Sequence, residues 1–267
     1  MLVHKLIGAL SSPTIKEWDV GFAVYNQSFS VSSQTVGPTD LRFKPDGTKM
    51  YVISATSDVY EYALSTAWDI SSASYTSTFD VVTGENLPNG IEFNTDGTKM
   101  YVVGQGLDRV AEFTLSTAWD ITSASYVRAV AAGDTVPKGL YIRPDGLRMY
   151  IIGATGDTVR QFSLSSAWNV STATFTQAFY VATQESAPGS VFFKGDGTRM
   201  YVVGIFSDTV YQYALGTAWD VSTATLQKSF SVSAQDMAPE GLVFSTDGTK
   251  MYICGNAGDA VYQYNLT

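Results

Sequence analysis

The chain alternates two kinds of hydrophobic pattern, and the pair recurs about every fifty residues. Two short, almost wholly apolar stretches flank each Asp-Gly dipeptide, and a stretch of alternating apolar and polar residues, such as 210–215, follows them. Continuous apolarity predicts strands that are buried on both faces, whereas alternation predicts strands with one exposed face. Because a Ser/Thr-rich turn leads into one more alternating stretch, each repeat predicts four antiparallel strands.

The repeat is marked by residues at fixed positions. A proline stands eight residues before each turn aspartate, and a Met-Tyr pair begins four residues after it. The five tryptophans keep the same period. A four-stranded antiparallel unit repeated radially predicts an all-β fold, a five-bladed β-propeller. The turn aspartates, 49 to 51 residues apart, are Asp46, Asp96, Asp145, Asp196 and Asp247.

The two ends of the chain are predicted to share one blade. Trp18 and Tyr25 are seven residues apart, as are Trp68 and Tyr75, so residues 24–31 match a fourth strand that no earlier strands precede. The chain ends in a third strand at 261–266. We therefore expect the N-terminal outer strand to pair with the three C-terminal strands, which closes the ring and removes a free sheet edge.

The predicted propeller covers residues 15–267, and residues 1–14 form an N-terminal arm outside the repeat register. We expect the arm to dock on a partner through its apolar residues; the alternative is that it folds back on its own ring. Its apolar stretch is too short for a secretory signal, and no run of 18 apolar residues exists, so neither a Sec-type leader nor membrane insertion is expected. The apolar arm residues are Leu2, Val3, Leu6, Ile7 and Leu10.

Composition excludes several classes of site and partner. The single cysteine, Cys254, and the single histidine, His4, exclude an internal disulfide, a Cys/His zinc site and a His-based catalytic triad in the propeller. No metal and no other cofactor are expected. The formal net charge of −9 opposes binding to a phosphate backbone, so nucleic acid is not an expected partner.

Residues that recur in every copy of the repeat are expected to have structural roles. The tryptophans, each followed by Asp or Asn, could form a sugar-binding platform, but we favour packing between blades, with the Asp or Asn capping the next turn. A cation stands two residues after each turn glycine; these cations could bind an anion, but we favour solvated turn residues. They are Lys49, Lys99, Arg148, Arg199 and Lys250.

Residues that differ between copies of the repeat are expected to form the ligand-binding or partner-binding face. In a propeller the inter-blade connections and the loops between the second and third strands share one face, and here these loops are divergent and acidic. Single exposed apolar residues are common, so the apolar loop tips are equally compatible with an ordinary surface. Lys138 and Glu240 occupy a position expected near the axial channel. The candidate binding face comprises Leu107, Lys138, Ile205, Phe206, Met237 and Glu240.

Catalysis is not expected from the sequence. Glu92 and Glu240 are the carboxylates placed on the predicted inner strands as candidates, and no third supporting group can be placed beside them. A carboxylate-based glycosidase is therefore the least favoured of the alternatives.

The segments 196–204 (DGTRMYVVG) and 211–225 (YQYALGTAWDVSTAT) resemble the β-propeller repeat proteins of marine bacteriophages and aquatic metagenomes. The resemblance spans about residues 15–267. It implies a non-enzymatic structural protein of the virion, associated with the tail or capsid. Residues 1–14 depart from the repeat pattern, and we expect this arm, independently of the resemblance, to dock on other virion proteins. The alternative is an adhesin whose variable face binds a host glycan or an outer-membrane protein.

Overall fold

The computed structural model describes residues 16–266, which form five four-stranded antiparallel sheets. The innermost strands of neighbouring sheets contact each other in ring order, and the last contacts the first. The prediction of an all-β, five-bladed propeller is confirmed. The predicted arm residues Leu2, Val3, Leu6, Ile7 and Leu10 lie outside the described residues. Within residues 16–266, no helix has the length and apolarity that a membrane crossing requires.

Each Asp-Gly turn joins the first two strands of a blade, and a loop and a Trp-containing turn join the rest. Blade 1 comprises β2 (Pro38–Phe43), β3 (Lys49–Ser54), β4 (Asp58–Leu64) and β5 (Ala73–Asp80). Blade 2 comprises β6 (Pro88–Phe93), β7 (Lys99–Gly104), β8 (Arg109–Leu115) and β9 (Ala124–Ala131). Blade 3 comprises β10 (Pro137–Ile142), β11 (Arg148–Gly153), β12 (Thr158–Leu164) and β13 (Ala173–Tyr180). Blade 4 comprises β14 (Pro188–Phe193), β15 (Arg199–Gly204), β16 (Thr209–Leu215) and β17 (Ala224–Ser231).

Blade 5 is built from both ends of the described chain. It comprises β18 (Pro239–Phe244), β19 (Lys250–Gly255), β20 (Ala260–Leu266) and, as its outer strand, β1 (Ala23–Ser30). The outer strand β1 pairs antiparallel with β20, so that Ala23 lies opposite Leu266 and Ser30 lies opposite Ala260. All five blades therefore have the same strand order.

The hydrophobic cores lie between neighbouring blades. One core joins Leu41 and Val52 of blade 1 to Val243 and Cys254 of blade 5, and all four side chains are buried. In contrast, the outer strand β5 alternates between exposed and partly buried residues. Each blade thus buries both faces against its neighbours, and the apolar inner strands reflect that double burial.

The turn glycines are required by a close approach of the tryptophans. Gly47 has a φ of +74°, and a Cβ placed on it would lie 2.3 Å from the indole of Trp68. After Trp68, Asp69 accepts a hydrogen bond from the backbone N–H of Ser71 and caps a short 3-10 turn at Ile70–Ser72. The tryptophan, the turn glycine and the capping residue therefore form one local unit, which confirms the predicted capping role.

Candidate functional site

A ring of five tryptophans surrounds the axis on the face formed by the Asp-Gly turns, here called the hairpin face. Their backbones are left-handed, with φ between 60° and 67°, a conformation that costs a non-glycine residue about 1–3 kcal/mol. Two hydrogen bonds hold each tryptophan carbonyl: for Trp119, Lys49 Nζ and Tyr51 Oη of the neighbouring blade each donate over 2.8 Å. These bonds tie each tryptophan turn to the neighbouring blade.

The same pair of donors recurs at every blade boundary. The predicted role of the cations as solvated turn residues is thus wrong, because they bond the neighbouring blade. The donor pairs are Lys49 and Tyr51 to Trp119, Lys99 and Tyr101 to Trp168, Arg148 and Tyr150 to Trp219, Arg199 and Tyr201 to Trp18, and Lys250 and Tyr252 to Trp68.

The axis opens on the hairpin face into a cavity of about 160 Å³, here called the axial cavity. Its walls are mainly aromatic, and two charged side chains from the inner strands lie among them. Such a combination of apolar walls and a few convergent polar groups is typical of small-molecule sites. The lining residues used below are Arg42, Trp68, Glu92, Trp119, Tyr141, Trp168, Phe192 and Phe244.

Arg42 joins three blades across the axis. Its Nε lies 3.3 Å from Glu92 Oε2, and its Nη1 lies 3.1 Å from Asp40 Oδ1. Nη1 also donates to the carbonyl of Leu41 over 2.7 Å, and Nη2 donates to the carbonyl of Leu140 over 2.6 Å. Because a guanidinium has five N–H groups, these bonds leave one Nη2 N–H without a partner among residues 16–266.

Burial raises the pKa of the two carboxyl groups that pair with Arg42, those of Asp40 and Glu92. It raises the pKa of Asp40 to about 6, against the opposing charge of Arg42. Burial also raises the pKa of Glu92, again with Arg42 opposing the shift. Glu92 is 12% exposed and lines the cavity, whereas Asp40 is fully buried. Glu92 is thus the carboxylate that lines the cavity, and Asp40 pairs with Arg42 behind it.

Three of the predicted binding-face residues lie together, and the other three lie at the surface of the loops. Lys138 and Glu240 lie at the other end of the axial channel and form an ion pair over 3.5 Å. Ile205 lies beside Gly189, 3.1 Å from the position of a Cβ on that glycine. Leu107, with 44% of its surface exposed, Phe206 with 81% and Met237 with 73% remain at the surface of the loops.

Arg42, Asp40 and Tyr141 were not among the predicted site residues. The sequence does carry an indication of this site, because the residue four positions before the turn aspartate differs in every copy, as residues of a binding site do. Asp40 is a further carboxylate on an inner strand, β2, beside the predicted candidates Glu92 and Glu240. The divergent inner position comprises Arg42, Glu92, Tyr141, Phe192 and Val243.

Side chains that bind metals do not cluster in the described part of the chain. Among residues 16–266, no group of three or more His, Cys, Asp or Glu residues is arranged to hold a metal ion.

Residues 23–169 match the family described as "Lactonase, 7-bladed beta-propeller". The match runs from the start of β1 to just beyond β12, and the family description names seven blades where this chain has five. The prediction that the protein is not an enzyme is wrong, because the matched family is a lactonase family. No curated protein matches the sequence.

Solved structures share the fold at low sequence identity. A functionally unknown protein from Desulfotomaculum acetoxidans DSM 771 is 14% identical, with a TM-score of 0.50, over 82% of this chain and 62% of its own. A protein from Bacteroides uniformis ATCC 8492, described as a candidate 6-phosphogluconolactonase, is 15% identical, with a TM-score of 0.51, over 81% of this chain and 63% of its own. This chain therefore spans less than two thirds of the length of either protein.

A β-propeller domain from Myceliophteria thermophila is 9% identical, with a TM-score of 0.55, over 92% of this chain and 100% of its own length. At these identities the likeness shows the propeller fold alone.

Proposed function

The chain belongs to the family described as "Lactonase, 7-bladed beta-propeller", and from that premise we propose that it hydrolyses a cyclic ester in the axial cavity. The observation that carries the proposal is the contact of Arg42 with Glu92, 3.3 Å apart, inside an aromatic cavity. A carboxylate beside a guanidinium supplies the two groups that ester hydrolysis by water needs, a proton acceptor and a stabiliser of negative charge.

The proposed reaction adds water to the lactone carbonyl and opens the ring. Glu92 accepts a proton from the attacking water, and the free Nη2 N–H of Arg42 donates to the oxygen on which negative charge develops. The ring C–O bond then breaks, and the proton held by Glu92 passes to the leaving alkoxide, which gives a hydroxy acid. Asp40 positions Arg42, and the aromatic walls of Tyr141 and Phe192 keep bulk water away.

The Glu92→Gln variant is expected to lower kcat/KM for lactone hydrolysis by roughly 10²–10⁴-fold. The amide oxygen can still accept the hydrogen bond from the Phe93 N–H, but the amide N–H₂ then faces Arg42 Nε–H. The melting temperature of the variant is therefore measured beside its activity. In the wild type, hydrolysis is expected to slow as the pH falls through the pKa of Glu92, which burial raises above 4.5, because the protonated carboxyl accepts no proton. A pH-stat assay with gluconolactone, butyrolactone and dihydrocoumarin measures both effects.

The matched control is Glu240→Gln. Glu240 is also a largely buried carboxylate of the axial channel, paired with Lys138, but it lies at the opposite end from the axial cavity. Its loss is expected to leave hydrolysis unchanged. If wild type and the Glu92 variant hydrolyse all three lactones at the same rate, the proposal is wrong.

We also propose a second role, the binding of a cell-surface receptor through the loop face opposite the axial cavity. The supporting observation is the exposure of Phe206 and Met237 on that face. Replacing both with serine is expected to reduce binding to bacterial cells while lactone hydrolysis continues. The control is Phe175→Ser on the outer strand β13, where the side chain is 51% exposed.

Equal cell binding by the double loop variant and the Phe175 variant would rule out the receptor role. A place in a bacteriophage virion, and docking through residues 1–14, stay predictions.

A further inference from the structure

The charges at the base of the axial cavity are unfavourable for an anionic ligand. Within residues 16–266, Arg42 is the only cation that lines the cavity. It lies between the carboxylates of Asp40 and Glu92, so this group carries more negative than positive charge when all three side chains are ionised. Because like charges repel strongly where water is scarce, the cavity selects against ligands that carry a phosphate or a carboxylate.

The Asp-Gly turns around the opening of the cavity supply no unpaired cation. Blades 1, 3 and 4 carry a basic residue two positions before the turn aspartate, and each pairs with that aspartate. The cations that follow the turn glycines are bonded to tryptophan carbonyls. Phosphate therefore finds no partner at these turns. The pairs are Lys44 with Asp46, Arg143 with Asp145, and Lys194 with Asp196.

The walls of the axial cavity offer few partners for hydroxyl groups. Beside the charged group, the inner strands contribute Tyr141, Phe192 and Val243 to the lining. Asn94 also lines the cavity, but its Nδ2 donates to Thr98 Oγ1 over 3.1 Å, and its Oδ1 accepts a backbone N–H over 2.8 Å. A hydroxyl group buried without a partner lowers affinity, so the walls disfavour a polyhydroxylated ring. The remaining polar lining residues, on the turns, are Thr95 and Thr246.

We propose that the axial cavity takes a neutral lactone with apolar substituents rather than hydroxyl or phosphate groups. The lactone part of this proposal rests on the proposed function, whereas the preference for a neutral, apolar ring does not. The cavity measures about 160 Å³, and an apolar cavity of roughly 150 Å³ admits benzene, so one six-membered ring with a short substituent fits. Its carbonyl oxygen accepts the free Nη2 N–H of Arg42, and its ring carbons contact Phe192 and Val243.

Binding is tested without hydrolysis by two lactams that differ only in their hydroxyl groups, 6-methylpiperidin-2-one and gluconolactam. NMR titration of the wild type is expected to show roughly ten-fold or greater affinity for 6-methylpiperidin-2-one, since one buried hydroxyl group without a partner has an effect of that size. The anion 6-phosphogluconate is expected not to bind at the same concentrations.

A substitution in the wall locates the binding. Val243→Phe is expected to lower the affinity for 6-methylpiperidin-2-one roughly ten-fold, because the larger side chain fills the cavity. Blade 4 carries Phe192 at the equivalent position. The matched control Val24→Phe, on the outer strand of the same blade where Val24 is 58% exposed, is expected to bind as the wild type does.

The melting temperature of each variant is measured beside its affinity. If Val243→Phe does not fold, Val243→Thr keeps the shape of the side chain and places a hydroxyl group in the wall. This variant is expected to reduce the preference for 6-methylpiperidin-2-one over gluconolactam.

Hydrolysis supplies a second readout. The kcat/KM for δ-hexalactone is expected to exceed that for gluconolactone roughly ten-fold or more, and 6-phosphogluconolactone is expected to be the poorest substrate. The expected lactam preference without any lactone hydrolysis supports the neutral, apolar site, and only the proposed function then fails.

Four results overturn the proposal. They are undetectable binding of 6-methylpiperidin-2-one, equal or tighter binding of gluconolactam or 6-phosphogluconate, unchanged binding in a folded Val243→Phe variant, and an unchanged preference in Val243→Thr where that variant replaces it. A kcat/KM for gluconolactone that equals or exceeds the value for δ-hexalactone also contradicts the proposed substrate class, while the proposed function stands.

Discussion

Deletion of residues 1–32 is expected to unfold or aggregate the protein. It removes β1, which leaves the backbone donors and acceptors of β20 unpaired along the edge of blade 5. It also removes the buried side chains of Val20 and Val31. At about 1.5–3 kcal/mol for each large apolar side chain, this loss alone is comparable with the lower end of ordinary domain stability, about 5–15 kcal/mol. Calorimetry and size-exclusion chromatography with light scattering measure the result.

Two controls separate the role of β1 from that of the residues before it. Deletion of residues 1–15 removes no part of the described propeller, so the melting temperature is expected to stay nearly unchanged. A circular permutant that joins Thr267 to Lys16 and begins at Ser33 is expected to fold. Its join places Trp18 four positions after Leu266, the spacing that separates Leu64 from Trp68. A monomeric 33–267 protein with the wild-type melting temperature would show that β1 is dispensable.

The Arg42→Val variant is expected to lose about 3–5 kcal/mol of the free energy of unfolding. It leaves the carboxylates of Asp40 and Glu92 buried without their cation. Because loss of the cation raises both pKa values further, the folded variant holds protons that the unfolded chain releases. Its deficit is therefore expected to shrink as the pH falls and to grow as the pH rises. Urea unfolding at several pH values measures both the loss and its pH dependence.

The matched control replaces all three charged side chains, those of Asp40, Arg42 and Glu92, at once. The triple variant Asp40→Ser, Arg42→Val and Glu92→Val uses residues that other blades carry at the equivalent positions, Ser190 and Val243. Since replacing a buried ion pair with uncharged residues is often neutral, we expect most of the lost stability to return. A single Arg42 variant as stable as the wild type, or a triple variant no more stable than the single one, contradicts this account.

Divergence between the copies predicts that the loops form the binding face, yet the axial cavity lies on the opposite face. That cavity is lined by repeated tryptophans, which a comparison of copies assigns to packing, and by divergent inner residues such as Arg42 and Glu92. Trp68, Trp119 and Trp168 do both, since their carbonyls join blades and the same residues line the cavity. A comparison of the repeat copies that looks for binding residues only among the divergent positions therefore identifies Arg42 and Glu92 but misses the tryptophans that line the same cavity.

The sequence by itself determined the strands, the Asp-Gly turns, the capped Trp turns and the number of blades. All of these follow from interactions within a few residues or between adjacent strands, and the residues that determine them recur in every copy of the repeat. Only the tertiary structure decided that Lys49 and Tyr51 bind the carbonyl of Trp119, and that Arg42 meets Glu92 and the Leu140 carbonyl. These partners stand 50 or more residues apart in sequence, and the curvature of the closed ring, which no single repeat encodes, brings them together.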